Sequence, residues 1–170
     1  LALGSGFTTP GDALVLLGVT EPDDFGGSEY GAVVHGALGG APPRLDLERE
    51  RSLHELLKRA ARARLLSSAH DLSGGGLAVA AAESALAGGL GFEITAAPED
   101  ELPHRWLFSE SASRALVSLP PPKLEALRAA AAEEGVEVTE LGTVGGDTLD
   151  FGCFRMALAD AVSAHDTPPF

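Results

Sequence analysis

The sequence predicts an α+β fold, a mixed β-sheet with helices packed on one side, and three observations carry that prediction. Short apolar runs alternate with helical patterns along the chain. Two strand-like runs flank Gly145-Gly146-Asp147, a turn suited to an antiparallel hairpin. The chain has 170 residues, 45% hydrophobic and 22% charged, which is enough for one domain with a sizeable core. No internal repeat and no long linker divides it, so residues 1–170 read as a single domain.

Each element follows in order. Ala13 to Gly18 is a buried strand between the turns at Pro10-Gly11 and Glu21-Pro22. Phe25 to Glu29 is a glycine-rich loop, Tyr30 to Gly36 a short helix, and Gly39 to Pro43 a breaker. From Asp46, placed to cap it, a helix buries Leu53, Leu56, Leu57, Ala60 and Ala61. Its other face is laced with charge, and Arg59, Arg62 and Arg64 favour its C-terminal end. Leu77 to Ala87 is an alanine-rich helix and Leu90 to Thr95 a strand. Pro98 to Trp106 is polar and turn-rich, with room for one helical turn. Arg114 to Leu119 is a strand, and Pro121 to Glu134 a helix opened by Pro and closed by Gly135. Val136 to Val144 and Thr148 to Phe154 are the hairpin strands, and Met156 to Ala164 is a last short helix.

Charge and cysteine content narrow the function. Twelve Lys plus Arg against 25 Asp plus Glu give a formal net charge of -13, the wrong sign for a nucleic-acid backbone. No apolar run approaches the roughly 20 residues of a spanning helix, and no basic, apolar-cored leader is present. The expectation is a cytoplasmic protein without nucleic-acid or membrane partners. Cys153 stands alone, so an internal disulfide framework is excluded; its apolar run predicts a buried, inert thiol. Asn and Gln are absent, and Lys occurs only at Lys58 and Lys123. Heat adaptation or a GC-rich coding bias fits that composition equally. The chain opens at Leu1 rather than Met, the expectation for a piece of something longer.

Three segments could carry chemistry. Ser67 to Leu77 places Asp71, Ser73 and the glycines Gly74, Gly75 and Gly76 directly before a helix. Glycines admit a ligand close to the backbone, free N–H groups at a helix start favour an anion, and the Asp and Ser oxygens could hold Mg²⁺. The plainer and favoured reading is a tight strand-to-helix turn in which Asp71 or Ser73 bonds nearby backbone N–H groups. No Lys-Ser or Lys-Thr follows the glycines, so this is not a Walker A loop. The second segment groups Ser109, Glu110, Ser111 and Arg114, able to contact a phosphate or ribose; the plainer reading is a Glu110–Arg114 pair across a turn. Gly26-Gly27-Ser28-Glu29 is the third and weakest. The five histidines lack zinc-site spacing. His70 beside Asp71 invites a catalytic dyad, but strand neighbours point to opposite faces, so a satisfied structural histidine is expected.

The order Gly11–Gly18, Gly26–Tyr30, Ser68–Ala80, Ala82–Leu86 and Leu107–Arg114 resembles a known family. It is similar to the C-terminal domain of the phosphoribosylformylglycinamidine synthase large subunit, an aminoimidazole ribonucleotide synthetase-like domain, over about Thr9 to Gly152. His70-Asp71-Leu72-Ser73 resembles the second of the two C-type copies in such subunits. The resemblance implies purine biosynthesis: a ligase that phosphorylates the amide oxygen of formylglycinamide ribonucleotide with ATP and Mg²⁺, then admits ammonia from glutamine. It implies as partners the N-type domains of the same chain, a glutaminase subunit and a small accessory subunit. The catalytic His and main Mg²⁺ and ATP ligands of that family lie on N-type domains, and no segment here matches them. The chain also departs from the family pattern. Ala112 stands where a substrate-touching Gln occurs in the first copy, and Gly74 where the family loop has Asp. Asp71, Ser73 to Gly76, Ser109 to Ser111 and Arg114 are therefore ligand-binding candidates of a vestigial half-site, with no catalytic or metal residue assigned. The expected role is a scaffold that completes clefts with the N-type domains, inactive alone and holding no cofactor tightly. The alternatives are an autonomous nucleotide-binding module using Ser73–Gly76, or a domain of another ATP-dependent member such as aminoimidazole ribonucleotide synthetase.

Overall fold

A computed structural model describes residues 3–98 and 102–166. Among the described residues, seven strands form a sheet: β1 (Ala13–Leu17), β2 (Ser68–Asp71), β3 (Phe92–Ile94), β4 (Ala115–Leu119), β5 (Val138–Val144), β6 (Thr148–Asp150) and β7 (Arg155–Ala157). Their order is β2-β4-β1-β5-β3-β6-β7. Every pairing is antiparallel except β3 with β6. Six helices accompany them among the described residues: α1 (Glu29–His35), α2 (Leu47–Arg62), α3 (Gly76–Gly88), α4 (Pro103–Leu107), α5 (Leu124–Glu134) and α6 (Leu158–Asp166). A 3₁₀ turn at Pro121–Lys123 leads into α5.

The mixed α+β class is as predicted. All five residues of β1 are buried, because the strand is central and apolar on both sides. Ala13, Val15 and Leu17 join Leu53, Leu56 and Ala60 of α2 and Leu127, Ala130 and Ala131 of α5. Leu14 and Leu16 turn the other way, by the period-2 geometry of a strand, onto Leu77, Ala80 and Ala81 of α3. The helices predicted on one side are thus α2 and α5; the second layer, α3 with Trp106 and Leu107 of α4 and Ala161 of α6, completes the other face. Burying a side chain such as Leu56 or Leu77, both fully enclosed, is worth about 1.5–3 kcal/mol. The α2 cap is as expected: Asp46 accepts from the N–H groups of Glu48 at 2.9 Å and Arg49 at 3.2 Å.

Two expectations are corrected. The predicted hairpin of Val136–Val144 with Thr148–Phe154 does not form, because β3 lies between β5 and β6. Gly91, just before β3, inserts at the turn: Gly145 N–H donates to Gly91 O at 2.8 Å and Gly91 N–H to Gly146 O at 2.9 Å. A Cβ on Gly91 would lie 2.7 Å from Thr148 N, so the bare glycine permits the insertion. The hairpin in this region joins β6 to β7, pairing Leu149 with Met156. Residues Arg155–Ala157 are accordingly strand, and the last helix begins at Leu158 rather than Met156. Cys153 falls in the β6–β7 turn and is exposed, not buried. The helical turn expected within Pro98–Trp106 is α4; residues 99–101 lie outside the described residues.

Candidate functional site

The glycine turn after β2, the Ser109–Arg114 loop before β4 and the Gly26–Glu29 loop before α1 meet in space. The Glu110 carboxylate joins them. Its Oε1 accepts the Gly75 N–H at 2.7 Å and the Glu29 N–H at 2.8 Å. Gly75 caps α3 and Glu29 opens α1, so one carboxylate holds the beginnings of two helices, where an anion is favoured. Ser28 caps α1 by accepting the Gly31 N–H at 3.0 Å.

Close approach explains the glycines. Gly76 has φ +63, and a Cβ there would lie 2.9 Å from Leu107 O and nearer still to Ser109 O. Only glycine combines that backbone conformation with that contact. Gly76 N–H donates to the carbonyl oxygen of Ser73 at 3.0 Å, a turn closed by backbone rather than by the Ser73 hydroxyl. Asp71, Ser73 and Gly74 are exposed, while Gly75 and Gly76 are buried.

The second loop is turned inward. Ser109, Ser111 and Arg114 are each at most 2% exposed. Ser109 Oγ donates to Glu21 O at 2.7 Å, Ser111 Oγ lies 2.8 Å from Ser109 Oγ, and Glu21 N–H donates to Ser111 Oγ at 2.8 Å. Arg114 donates from Nε to Ser111 O at 2.9 Å, from one terminal nitrogen to Ser109 O at 2.7 Å, and from the other to Thr20 Oγ1 at 3.0 Å. No ion pair joins Glu110 to Arg114 among the described residues, so the simple pair across a turn is replaced by two separate sets of contacts, backbone amides for Glu110 and two carbonyl oxygens plus the Thr20 hydroxyl for Arg114. Burial lowers the Arg114 pKa to about 10, opposed by the charges of Asp24 and Glu110. The guanidinium is thus spent on holding its own loop.

Asp71 and Arg114 both border a groove of about 480 Å³ between α2 and the β2–β4 edge, floored by Leu53, Leu57, Ala69 and Leu72. His70, on β2, places Nδ1 2.6 Å from Asp71 O and Nε2 3.2 Å from Glu83 Oε2 on α3, as expected of a structural histidine. Among the described residues, no three His, Cys, Asp or Glu side chains are grouped to hold a metal ion. No helix among them is long and apolar enough to cross a membrane. The sequence missed the roles of Thr20 and Glu21, which are backbone and hydroxyl partners separated from Arg114 and Ser111 by about 90 residues; no local pattern marks them.

The family model for AIR synthase related protein, C-terminal domain, matches residues 9–151. The chain belongs to this family. It is 48% identical over 146 residues to the phosphoribosylformylglycinamidine synthase subunit PurL of Moorella thermoacetica, covering 86% of this chain and 20% of that protein. The PurL subunit of Streptomyces coelicolor is 43% identical over 162 residues, covering 95% and 21%. The chain thus spans about a fifth of the length of the curated relatives it matches. Among solved structures, Thermotoga maritima PurL complexed with FGAR aligns with a TM-score of 0.79 at 21% identity, over 94% of this chain and 29% of that one. Escherichia coli HypE aligns with a TM-score of 0.62 at 18% identity, over 91% and 51%. These likenesses show the family fold, α3 and its glycine turn included within the matched residues.

Proposed function

We propose that this chain is the C-terminal domain of a longer phosphoribosylformylglycinamidine synthase polypeptide, acting in the cytoplasm in purine biosynthesis. The 48% identity to a PurL subunit carries this reading. The whole enzyme makes formylglycinamidine ribonucleotide from formylglycinamide ribonucleotide, ATP and ammonia derived from glutamine. Its partners are the N-type domains of the same polypeptide, a glutaminase subunit and a small accessory subunit.

Within that enzyme the domain is a scaffold. Relatives from Thermotoga maritima have been seen complexed with ATP and with ADP, but the residues here fit such a ligand poorly by themselves. The α3 amide that could receive a phosphate already holds Glu110, Arg114 is committed to backbone oxygens, and the glycine turn carries no Lys. ATP and Mg²⁺ therefore bind through the N-type domains, and this domain positions the loops that close around them. Of the candidate residues, the side chains of Asp71 and Ser73 are exposed and could face a neighbouring cleft.

ADP release dependent on ATP, ammonia and formylglycinamide ribonucleotide tests the assignment. The full-length polypeptide turns over and the 170 residues alone do not; turnover by the isolated chain at a typical enzyme rate of about 1–10³ s⁻¹ overturns it. Micromolar binding of Mg-ATP to the isolated chain by calorimetry would instead favour an autonomous nucleotide module.

A further inference from the structure

We infer that His70 is a proton-operated clamp: with a proton on each ring nitrogen it ties the edge strand β2 to α3, and with one proton removed the tie to α3 opens. The nature of its partners carries this. Nδ1 lies 2.6 Å from the carbonyl oxygen of Asp71 and 3.8 Å from Asp71 Oδ1, and Nε2 lies 3.2 Å from Glu83 Oε2. A carbonyl oxygen and an ionised carboxylate accept hydrogen bonds and do not donate them. A neutral imidazole offers one N–H and one lone pair, so either tautomer leaves a lone pair facing an acceptor. Only the imidazolium donates on both sides.

The closed form places its cation among acceptors. The His70 side chain is 17% exposed and lines two grooves. One, of about 460 Å³, is bordered also by Glu83 of α3 and by His165 and Asp166 of α6. The other, against α2, is bordered by Glu50, His54, Asp71 and Arg114. Glu50 is engaged by Ser113 and His54, and Arg114 by the carbonyl oxygens of its own loop. The residue paired with His70 on β4 is the apolar Leu116. Asp71 and Glu83 are thus the charged groups within reach of the ring nitrogens, and both are carboxylates.

The position of the clamp gives it leverage. β2 is the outermost strand on its side of the sheet, four residues long and paired within the sheet to β4 alone. Among the described residues, the His70–Glu83 contact is the one side-chain hydrogen bond or ion pair between β2 and α3, so it bridges the two elements that the glycine turn joins. Losing one proton keeps the shorter Nδ1–H bond to Asp71 O and turns the Nε2 lone pair toward the Glu83 carboxylate, where attraction becomes repulsion. Imidazole is the side chain whose charge changes between about pH 5 and 8. The tie is therefore present on the acid side of that range and lost on the alkaline side.

Amide hydrogen exchange followed by mass spectrometry on the full-length polypeptide tests the clamp, at about pH 6 and about pH 8.5, with rates corrected for the intrinsic pH dependence of exchange. The expected result is exchange across residues 68–84 that is about two- to fivefold faster at the higher pH, the scale of a half-exposed ion pair, with α5 unchanged. His70→Gln has no titrating ring and should exchange equally at both pH values. Glu83→Gln supplies an amide that donates to the lone pair of a neutral ring, and should stay as protected at the higher pH as at the lower. Glu83 is half-exposed, so this second variant keeps the test decisive if His70→Gln folds poorly. Equal or reversed protection of the parent at the two pH values overturns the inference, and so does either variant that keeps the parent's pH response.

Discussion

Glu110 and Gly75 lie 35 residues apart in the chain and 2.7 Å apart in space, the carboxylate of one accepting the amide of the other. The same oxygen receives the Glu29 N–H, so the loop before β4 fixes the entrances of α1 and α3 together. Removing the acceptor leaves a part-buried amide without a partner. Glu110→Ala is expected to lower stability by about 1–3 kcal/mol, and Glu110→Gln, which keeps a carbonyl acceptor, by less. Urea unfolding of both variants checks the ranking; equal losses would remove the hydrogen bonds as the cause.

Gly76 and Gly74 should respond oppositely to a side chain. Gly76→Ala puts a Cβ against the Leu107 and Ser109 carbonyl oxygens at positive φ, and is expected to destabilise the fold by at least about 2 kcal/mol. At Gly74 the nearest atom to an added Cβ is Cγ of exposed Glu29, at 3.2 Å, which can swing aside. Gly74→Asp should therefore fold with a melting temperature near that of the parent. Thermal melts of the two variants side by side suffice.

Arg114 cannot be exchanged for another cation. Its planar fork reaches Ser109 O, Ser111 O and Thr20 Oγ1 at once, which an ammonium on a flexible stem does not reproduce. Arg114→Lys is expected to cost about 2 kcal/mol. Burial holds the folded pKa at about 10, below the unfolded value. The unfolded chain then binds the extra proton above about pH 10, so Arg114 adds a rise of stability with pH there and no slope near neutrality. Denaturant midpoints at pH 7, 8 and 9 should differ equally between parent and variant.

Asp46 sets a dependence at the acid end. The Arg49 and then the Glu48 backbone N–H groups lower its pKa. Its contribution is complete above the unfolded value of about 3.9 and is lost as pH falls through the folded value. Asp46→Ala should lower the melting temperature at neutral pH, with a gap that narrows below about pH 4. A constant gap down to pH 2.5 would contradict the cap as its source.

Cys153 offers a quick check of the corrected β6–β7 turn. Being exposed, it should react fully with a maleimide in the native state, at the rate of a free thiol peptide. Modification only in denaturant would restore the buried position expected from sequence.

The sequence was most legible where an element declares itself locally. Asp46, the i, i+3, i+4 leucines of α2 and the apolar run of β1 each encode their own geometry, and the structure follows them closely. The β5–β6 hairpin does not form because the turn glycines, which by sequence suit a hairpin closure, instead receive Gly91 from far upstream on their backbone. At the site, the motifs were visible as three separate clusters. Their union through Glu110 was not, because a carboxylate bonding two distant amides leaves no periodicity. The inward direction of Ser109, Ser111 and Arg114 was hidden for the same reason: their partners, Thr20 and Glu21, are some 90 residues away.

The position of β1 has a consequence for the order of events at the ribosome. The first of the described strands in chain order, β1, is flanked in the finished sheet by β4 and β5, and neither neighbour exists until residues 115–144 have been made. Leu14, Val15 and Leu17, all fully enclosed at the end, have no strand partner while residues 18–114 are being made, and closing such distant pairs is slow. The nascent chain therefore carries an unpaired, aggregation-prone strand until β4 and β5 arrive. Translation stalled between β3 and β4 should leave a product that chaperones hold and proteases degrade, whereas a stall beyond β5 should leave one that already resists digestion.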